Sequence, residues 1–290
     1  MGRIAYVNGR YVPHADAVVH IEDRGYQFAD GVYEVLAVYK GVLIDEPGHI
    51  QRLDRSLREL MIDWPVTPRV LAVLMREVVR RNRLIDGTIY LQVTRGVAPR
   101  DHPFPEDAVV PSLVMTTKAK DLDTLKGGVP TRVITVPDQR WARPDIKTIA
   151  LLPNCLARQQ AKEAGCYEAW QVDRDGRVTE GTASNAWIVT AGGELLTRNA
   201  DENAILNGIT RLAVLDLARK AKLRLVERGF TVEEAVKARE AFLTSTTSFV
   251  KPVLEIDGRK VADGKVGPVT RKLGELIARR LEAQVAGRAI

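Results

Sequence analysis

The stretch RWARPDIKT at residues 140–148 decides the fold, because it places Lys147 where a solvated side chain is not expected. It follows the apolar, β-branched run Val129–Val136, which predicts a buried strand, and it precedes Leu151–Gly165, which has helical spacing. Lys147 has isoleucines close by on both sides. An amine held among apolar groups loses hydration, so its pKa tends to fall and the neutral nucleophile becomes accessible for a Schiff base with an aldehyde. The alternative is a lysine that snorkels to solvent from the end of a strand.

The composition is typical of a globular protein with one large domain or two modest ones, since the chain has 290 residues and 45% hydrophobic content. No apolar run approaches the length of about 18 residues that a membrane span requires. The first residues lack the apolar core of a signal peptide, so a cytoplasmic protein is expected. Cys155 and Cys166 are then expected to be free, buried thiols.

The formal net charge of +6 permits nucleic-acid binding but does not argue for it, because 43 basic residues are mixed with 37 acidic ones. The most basic cluster, Arg76–Arg83, falls on a helix whose other face is apolar, and we interpret it as a solvated face. A basic nucleic-acid-binding protein stays an alternative that rests on charge alone. We expect no nucleic-acid partner, no membrane partner and no metal site.

The first part of the chain, residues 1–120, predicts a small α+β domain. Asn8-Gly9 between apolar alternations indicates a hairpin, because both central residues of a type I′ turn need positive φ. The charged, glycine-containing stretch 22–31 is predicted to be a turn-rich loop, and residues 121–129 are the predicted interdomain linker. The predicted strands and helices are Val32–Tyr39, Thr88–Arg95 and Ser112–Thr117, with Pro47–Met61 and Arg69–Leu84.

Residues 130–290 predict a larger domain, which starts with the strand that carries Lys147. Thr231 and Glu234 have the spacing of a capping box for a short helix, and Pro268 begins a C-terminal helix at the position that proline tolerates best. The other predicted strands and helices are Tyr167–Val172, Val178–Glu180, Ala186–Thr190, Glu194–Thr197 and Ala241–Thr244, with Leu151–Gly165 and a helix that ends near Lys222.

A lysine of this kind becomes informative if the chain also supplies an anion site. Gly208-Ile209-Thr210 lies at the start of a predicted helix, where unpaired N–H groups and the helix dipole favour an anion. The four hydroxyls of residues 245–248 follow a predicted strand, and Arg52 adds a positive charge. Each feature also has an ordinary interpretation as a capped helix start or a polar turn.

Two further groups would complete a site for pyridoxal phosphate. Glu180 ends a hairpin strand just before Gly181, where a carboxylate would keep a pyridine nitrogen protonated, unless it is only a surface glutamate at a bend. Arg100 and His102 lie in a loop with prolines at 99, 103 and 105, and an arginine fork binds a carboxylate in two places. Tyr33 would add a hydroxyl. The alternative is a rigid surface loop.

Together these stretches resemble fold type IV, pyridoxal-phosphate-dependent aminotransferases, and the D-amino-acid aminotransferases more than the branched-chain ones. The resemblance runs from about Tyr6 to Leu276. It implies an α+β, two-domain fold with a small N-terminal domain and a larger C-terminal domain that contains a mixed sheet or pseudo-barrel. The stretches that carry it are residues 22–35, 92–96, 99–102, 145–147, 165–169, 178–181, 208–211 and 244–248.

The family pattern implies roles for individual residues. Lys147 matches the Schiff-base lysine, which also moves the proton, and Glu180 matches the acid that pairs with the pyridine nitrogen. Cofactor contacts fall on Arg52, Ala183, Ser184, Leu206, Gly208, Ile209, Thr210, Thr246 and Thr247. The substrate α-carboxylate falls to Tyr33, Arg100 and His102. Val35 and Arg140 resemble residues that line the site, and Glu34 and His49 match a polar network beside Tyr33.

The resemblance also implies a homodimer, because in the family the loop that corresponds to residues 100–102 reaches in from the partner subunit. The chain departs from the pattern at Ala29, where glycine is usual, and at Thr182-Ala183, Ala150 and Asn154. The expected reaction moves an amino group between a D-amino acid and a 2-oxo acid. The alternatives within enzymes are a branched-chain L-amino-acid transaminase, an (R)-selective amine transaminase and a lyase acting on aminodeoxychorismate.

Overall fold

The computed structural model describes residues 3–122 and 128–287. The chain forms two compact units: the first comprises residues 3–121 and the segment Ile146–Ala150, and the second comprises residues 122, 128–145 and 151–287. Residues 123–127 of the predicted linker lie outside the described residues, so the division at 1–120, 121–129 and 130–290 stays a prediction. Within the described ranges, no helix has the length and apolar character needed to cross a bilayer.

A six-stranded antiparallel sheet forms the first unit. Its strands are β1 (Ile4–Val7), β2 (Arg10–Pro13), β3 (Gly31–Tyr39), β4 (Val42–Leu43), β5 (Gly87–Thr94) and β6 (Ser112–Ala119), in the sheet order β2-β1-β6-β5-β3-β4. Its helices are α1 (Arg24–Phe28), α2 (Glu46–Glu59) and α3 (Pro68–Arg81). The predicted hairpin is confirmed, because β1 and β2 turn at Asn8 and Gly9 with φ of 44° and 89°.

The core of the first unit lies between the sheet and the apolar stripes of α2 and α3. Leu53, Leu57 and Leu71 of these helices are fully buried. Strand β3 alternates as predicted, so that Glu34 points to the α2 side while Tyr33 is half-buried on the other face. The basic face of α3 is solvated as predicted, with Arg76, Arg80 and Arg81 in exposed ion pairs.

A mixed sheet forms the second unit. Its strands are β7 (Thr131–Pro137), β8 (Glu168–Val172), β9 (Arg177–Gly181), β10 (Asn185–Val189), β11 (Leu195–Thr197), β12 (Leu225–Glu227), β13 (Phe230–Thr231), β14 (Glu240–Ser245), β15 (Phe249–Ile256) and β16 (Arg259–Lys260). The order is β12-β11-β10-β14-β15-β7-β8-β9-β13, and β16 pairs with β15. The pairs β11–β12, β15–β7 and β7–β8 are parallel, and β9 also contacts β10, so the sheet curls back on itself.

Within the described residues, the helices that accompany this sheet are α4 (Leu152–Glu163), α5 (Ile209–Lys220), α6 (Val232–Val236) and α7 (Pro268–Val285). The predicted capping box is present, since Glu234 N donates to Thr231 Oγ1 at 3.1 Å and Thr231 N donates to Glu234 Oε2 at 2.9 Å. Helix α7 begins at Pro268, as predicted. The predicted α+β class and the curled mixed sheet are therefore confirmed.

Three predictions about local structure were wrong. The stretch 22–31 is not only a loop, because Asp23 caps the one-turn helix α1 by accepting from Gly25 N at 2.8 Å. Lys147 does not lie on a strand, since β7 ends at Pro137. Cys155 and Cys166 are free but not buried: Cys155 is exposed on α4, whose inward face is formed by small residues such as Ala157, and Cys166 is partly exposed after the helix ends.

Candidate active site

Lys147 lies in the first unit, in a segment that is tied to β3. Tyr33 N donates to Lys147 O at 3.0 Å, and Thr148 forms an isolated bridge with Val32. The Lys147 backbone N also lies 3.4 Å from Ser56 Oγ of α2. The side chain is half-buried, and its Nζ lies 4.2 Å from the centre of the Tyr33 ring. The amine is therefore held against an aromatic face, which was not predicted, and by a loop and not by the predicted strand.

A buried ionic network connects β3 to α2 beneath this segment. Arg52 Nε and Nη2 donate to the two oxygens of Glu34 at 2.7 and 2.8 Å, and His49 Nδ1 lies 2.7 Å from Glu34 Oε2. Burial alone would raise the pKa of Glu34, but the charge and hydrogen bonds of Arg52 and the contact with His49 outweigh it and lower the pKa to about 2. Burial lowers the pKa of His49 despite the Glu34 carboxylate, so its ring is neutral at pH 7.

The half-buried face of β3 presents aromatic and polar groups. Tyr33 and Tyr90 have ring centres 5.6 Å apart, and Tyr90 Oη donates to Gln92 Oε1 at 2.7 Å. Val35 is paired with Tyr90 in the sheet register. Burial, with a smaller effect of Tyr33, raises the pKa of Tyr90 to about 12, so this phenol stays protonated. The two predicted substrate residues on β3 thus share one surface of the first unit.

Arg100 and His102 are exposed, and both side chains contact Phe28 of α1. The Arg100 guanidinium carbon lies 5.2 Å from the centre of the Phe28 ring, and the His102 ring centre lies 5.7 Å from it. The loop backbone is held from the same helix, because Arg24 Nη1 donates to Asp101 O at 2.7 Å. The structure brings the predicted pair together on one aromatic residue that sequence reasoning did not select.

In the second unit, Glu180 is a buried carboxylate with several partners and not a surface residue. It is 5% exposed, and it accepts from Asn185 Nδ2 at 2.8 Å, from Leu206 N at 3.0 Å and from Arg140. Burial would lower the pKa of Arg140, but the charges of Glu180 and Asp138 prevail and raise it. Glu180 thus lies beside a guanidinium that stays positively charged.

The start of α5, where the sequence predicts an anion site, offers unpaired backbone N–H groups. Gly208 is the residue that precedes the helix, and as a glycine it has no side chain to cap the first turn. A Cβ at Gly208 would clash with Asn185 Oδ1, so the position is restricted to glycine. Asn185 Nδ2 also donates to Leu206 O at 2.9 Å. Ile209 and Thr210 are both buried in the first turn, and the structure joins Glu180, Leu206 and Gly208 through Asn185.

The bend at 182–184 is held by a carboxylate that sequence reasoning missed. Glu168, which is 1% exposed, accepts from Ser184 Oγ at 3.0 Å and from the Thr182 hydroxyl, and Arg158 Nη1 lies 2.9 Å from it. Ser184, predicted to contact the cofactor, thus donates to Glu168, while Ala183 is exposed.

The turn at 245–248 follows β14, as predicted. Ser245 Oγ lies 2.7 Å from Ser248 Oγ and 3.4 Å from Thr247 Oγ1, and Thr246 is half-buried beside them.

The signal for the missed residues was present but incomplete. Asn185 and Glu168 both fall within or beside the strands predicted from the sequence, where a polar residue has to find a partner. Arg211 is another example, since its side chain is buried and donates to Asn207 Oδ1 at 3.1 Å and Glu227 Oε2 at 2.7 Å. Periodicity identifies such positions as inward, but it does not tell which partner they meet.

Comparison with known proteins then gives the family. The family model for class IV amino-transferases matches residues 31–256. The D-alanine aminotransferase of Staphylococcus aureus strain COL is 40% identical over 280 residues, which are 96% of this chain and 98% of that protein. The D-alanine aminotransferase of Bacillus licheniformis is also 40% identical, over 281 residues that cover 96% of this chain and 97% of that protein.

A solved structure matches the fold over nearly the whole chain. The branched-chain aminotransferase from the thermophilic archaeon Thermoproteus uzoniensis, solved with norvaline, has a TM-score of 0.85 and 27% identity, and the match covers 96% of this chain and 94% of that one. The predicted fold type IV architecture is therefore confirmed.

Proposed function

Because this chain belongs to the class IV aminotransferases, we propose that it moves an amino group between a D-amino acid and a 2-oxo acid, with pyridoxal 5'-phosphate as cofactor. D-alanine and 2-oxoglutarate, which would give pyruvate and D-glutamate, are the pair to test first. The observation that carries this proposal is the 40% identity, over nearly the whole chain, to D-alanine aminotransferases of two genera.

The described side chains fit the cofactor. Glu180 supplies a buried carboxylate for a protonated pyridine nitrogen, and hydrogen bonds from Asn185 and Leu206 N keep it in place. The first turn of α5 supplies backbone N–H groups and a dipole for a phosphate, with Thr210 adding a hydroxyl. Lys147 supplies the amine. When bound, pyridoxal phosphate acts as an electron sink that stabilises negative charge at the substrate Cα.

We assign the proton movements of the reaction to Lys147. Its amine would take the proton from the substrate Cα and return it to the cofactor carbon, so one base serves both positions. The Tyr33 ring against Nζ limits where the amine points, and the hydrogen bond from Tyr33 N to Lys147 O fixes the backbone. The buried charges of Glu34 and Arg52 keep this part of β3 and α2 rigid.

We assign the substrate α-carboxylate to Arg100 and His102, with Tyr33 as a further donor. A guanidinium offers two parallel N–H donors, which match the geometry of a carboxylate. Amines that lack a carboxylate gain nothing from this pair, so its presence favours amino acids over simple amines. The remaining cofactor contacts that we propose are those of Arg52, Ala183, Ser184, Leu206, Gly208, Ile209, Thr246 and Thr247.

A branched-chain L-amino-acid transaminase is the second candidate, because a solved structure that matches the fold is a branched-chain enzyme. The experiment that separates the two candidates compares D-alanine, L-leucine and (R)-1-phenylethylamine as donors with 2-oxoglutarate as acceptor. We expect turnover with D-alanine and loss of that turnover in Arg100→Ala. An inert D-alanine together with a reactive L-leucine would refute the proposed function.

We further propose a homodimer, which is supported by apolar side chains that the first unit leaves in solvent. Val18, Ile21, Tyr26 and Val110 are 77%, 75%, 76% and 83% exposed. Large exposed apolar groups of this kind are typical of a surface that a partner covers. Light scattering after gel filtration should give twice the chain mass, and Ile21→Asp should lower it, while Lys162→Asp at an exposed polar position of α4 should not.

A further inference from the structure

Side chains of helix α1 contact both the backbone and the side chains of the loop that carries Arg100 and His102. Arg24 Nη1 donates to Asp101 O at 2.7 Å, and Arg24 Nη2 donates to His102 O at 3.3 Å. One turn later, the ring of Phe28 contacts both Arg100 and His102. Arg24 therefore fixes the position of the loop backbone, while Phe28 orients the side chains of Arg100 and His102.

Arg24 is itself held rigidly. Its side chain is 4% exposed, and Nε donates to Asp30 Oδ2 at 2.8 Å. Arg95 reaches the same carboxylate, with Nε 2.7 Å from Asp30 Oδ2, and Arg95 also donates to Leu60 O and Met61 O at the end of α2. A buried Arg–Asp–Arg group thus connects the loop to α2 of the same unit.

The loop depends on contacts with α1 because it contains no regular secondary structure that would fix its backbone. Residues 100–103 are exposed and form no strand or helix. A guanidinium can satisfy a carboxylate and two carbonyls at once, because its donors point in three fixed directions. A lysine ammonium has no such fork, so the identity of this residue as arginine is required by the geometry.

We propose that Arg24 is a positioning residue for recognition of the substrate carboxylate: it fixes the backbone at 101–102, so that Arg100 and His102 bind the carboxylate together. This inference rests on the proposed function, since it assigns to Arg24 no contact with the substrate itself. Its effect is confined to the binding of the carboxylate, and the proton transfer by Lys147 does not depend on it.

The test is the half-reaction of the cofactor-loaded protein with D-alanine, which is monitored through the change in visible absorption. Arg24→Met removes three hydrogen bonds that involve a charged donor, so the D-alanine concentration for half-maximal rate should rise about tenfold or more. The rate at saturation should change little, and the cofactor spectrum before substrate addition should be that of the wild type. Arg76→Met, on the exposed face of α3, is the matched control and should leave both values unchanged.

A double-mutant cycle distinguishes positioning from a general structural role. If Arg24 acts through Arg100, Arg24→Met should add little to the loss already caused by Arg100→Ala. Equal and independent losses in the two backgrounds, or a fall in the saturating rate without a change in D-alanine affinity, would overturn the proposal. If Arg24→Met does not fold, Arg24→Lys keeps the charge and should show a smaller rise in the same cycle.

Failure of this inference and failure of the proposed function give different results. Wild-type protein that does not react with D-alanine would refute the proposed function. A reactive wild type with unaltered D-alanine affinity in Arg24→Met would refute only the role of Arg24.

Discussion

Arg52 donates two hydrogen bonds to the buried carboxylate of Glu34, one from Nε at 2.7 Å and one from Nη2 at 2.8 Å. This pair connects the middle of β3 to α2 with hardly any exposed surface on either side chain. The carboxylate also accepts a hydrogen bond from His49. Nδ1 has to be the donor, because an ionised carboxylate only accepts hydrogen bonds. The stability of the first unit therefore depends on a charge that is fully satisfied inside it.

Glu34→Gln should destabilise the protein. The substitution keeps the shape but removes the negative charge beside Arg52, and breaking a buried ion pair costs about 3 kcal/mol of the free energy of unfolding. Urea unfolding followed by circular dichroism measures the change. Glu77→Gln, which affects an exposed carboxylate paired with Arg80 and Arg81, should leave the midpoint nearly unchanged, and an equal shift in both variants would contradict the prediction.

Stability should decline in two stages as the pH falls. The pKa of His49 is below its ordinary value of 6.5 in the folded chain, so below pH 6.5 the unfolded state takes up a proton that the folded state resists. The pKa of Glu34 is lowered from 4.5 to about 2, so its contribution, about 3 kcal/mol, is present above pH 4.5 and is lost between those values. Unfolding free energies from pH 8 to pH 3 test this, and His49→Gln should weaken the first stage.

Lys147→Ala should abolish the visible absorption of covalently bound cofactor and lower turnover about a thousandfold or more, because the amine is both the proposed attachment point and the proposed base. Absorption spectra measure the loss of bound cofactor. Borohydride trapping and subsequent mass spectrometry identify the lysine to which the cofactor is attached. Lys162→Ala, which changes an exposed lysine of α4, serves as the control. Trapped cofactor on another lysine of the wild type would exclude this role.

Ala29→Gly should stabilise the protein. Ala29 ends α1 with φ of 56°, in the left-handed region, where a Cβ costs about 1 kcal/mol and glycine costs nothing sterically. Thermal unfolding should show a higher midpoint. Ala72→Gly in the interior of α3 is the opposite case and should lower the midpoint by a similar free energy, so a decrease in both variants would contradict the left-handed strain at Ala29.

Gly208→Ala should weaken cofactor binding. The added Cβ would clash with Asn185 Oδ1, and Asn185 also holds Glu180 and Leu206, so the start of α5 would shift at a cost of about 1–3 kcal/mol. Equilibrium dialysis with pyridoxal phosphate measures the loss of affinity. Gly192→Ala, at a turn where the added Cβ would meet only an ordinary contact, should bind the cofactor as the wild type does.

Much of the fold follows from patterns that act over a few residues. The alternation of β3, the positive φ values at Asn8 and Gly9, and the capping box of α6 were all predicted, because each depends on neighbours in sequence. Helix α1 was missed because five residues are too few for a helical period. Likewise, Lys147 was placed on a strand because the apolar run before it resembles one, while the contacts of its segment come from β3, more than a hundred residues earlier in the chain.

The roles of the candidate site residues stay predictions, and the contacts that support these residues were not predicted. Spacing identified Glu180 and Gly208, but only the structure shows that Asn185 joins them. It identified Arg100 and His102, but not Arg24 and Phe28, which hold them. Such supporting contacts are set by tertiary packing between distant elements, and a single sequence indicates at most that a polar residue faces inward, not which partner it meets.

The segment Ile146–Ala150 completes the first unit although the chain has by then left it and formed β7. Domains tend to fold as they emerge from the ribosome, N-terminal part first. In the nascent N-terminal unit, the edge of β3 at Val32 and Tyr33 cannot form its contacts with Thr148 and Lys147 until these residues have left the exit tunnel. The proposed catalytic lysine is thus added about halfway through translation, after every strand and helix of the first unit has been synthesised.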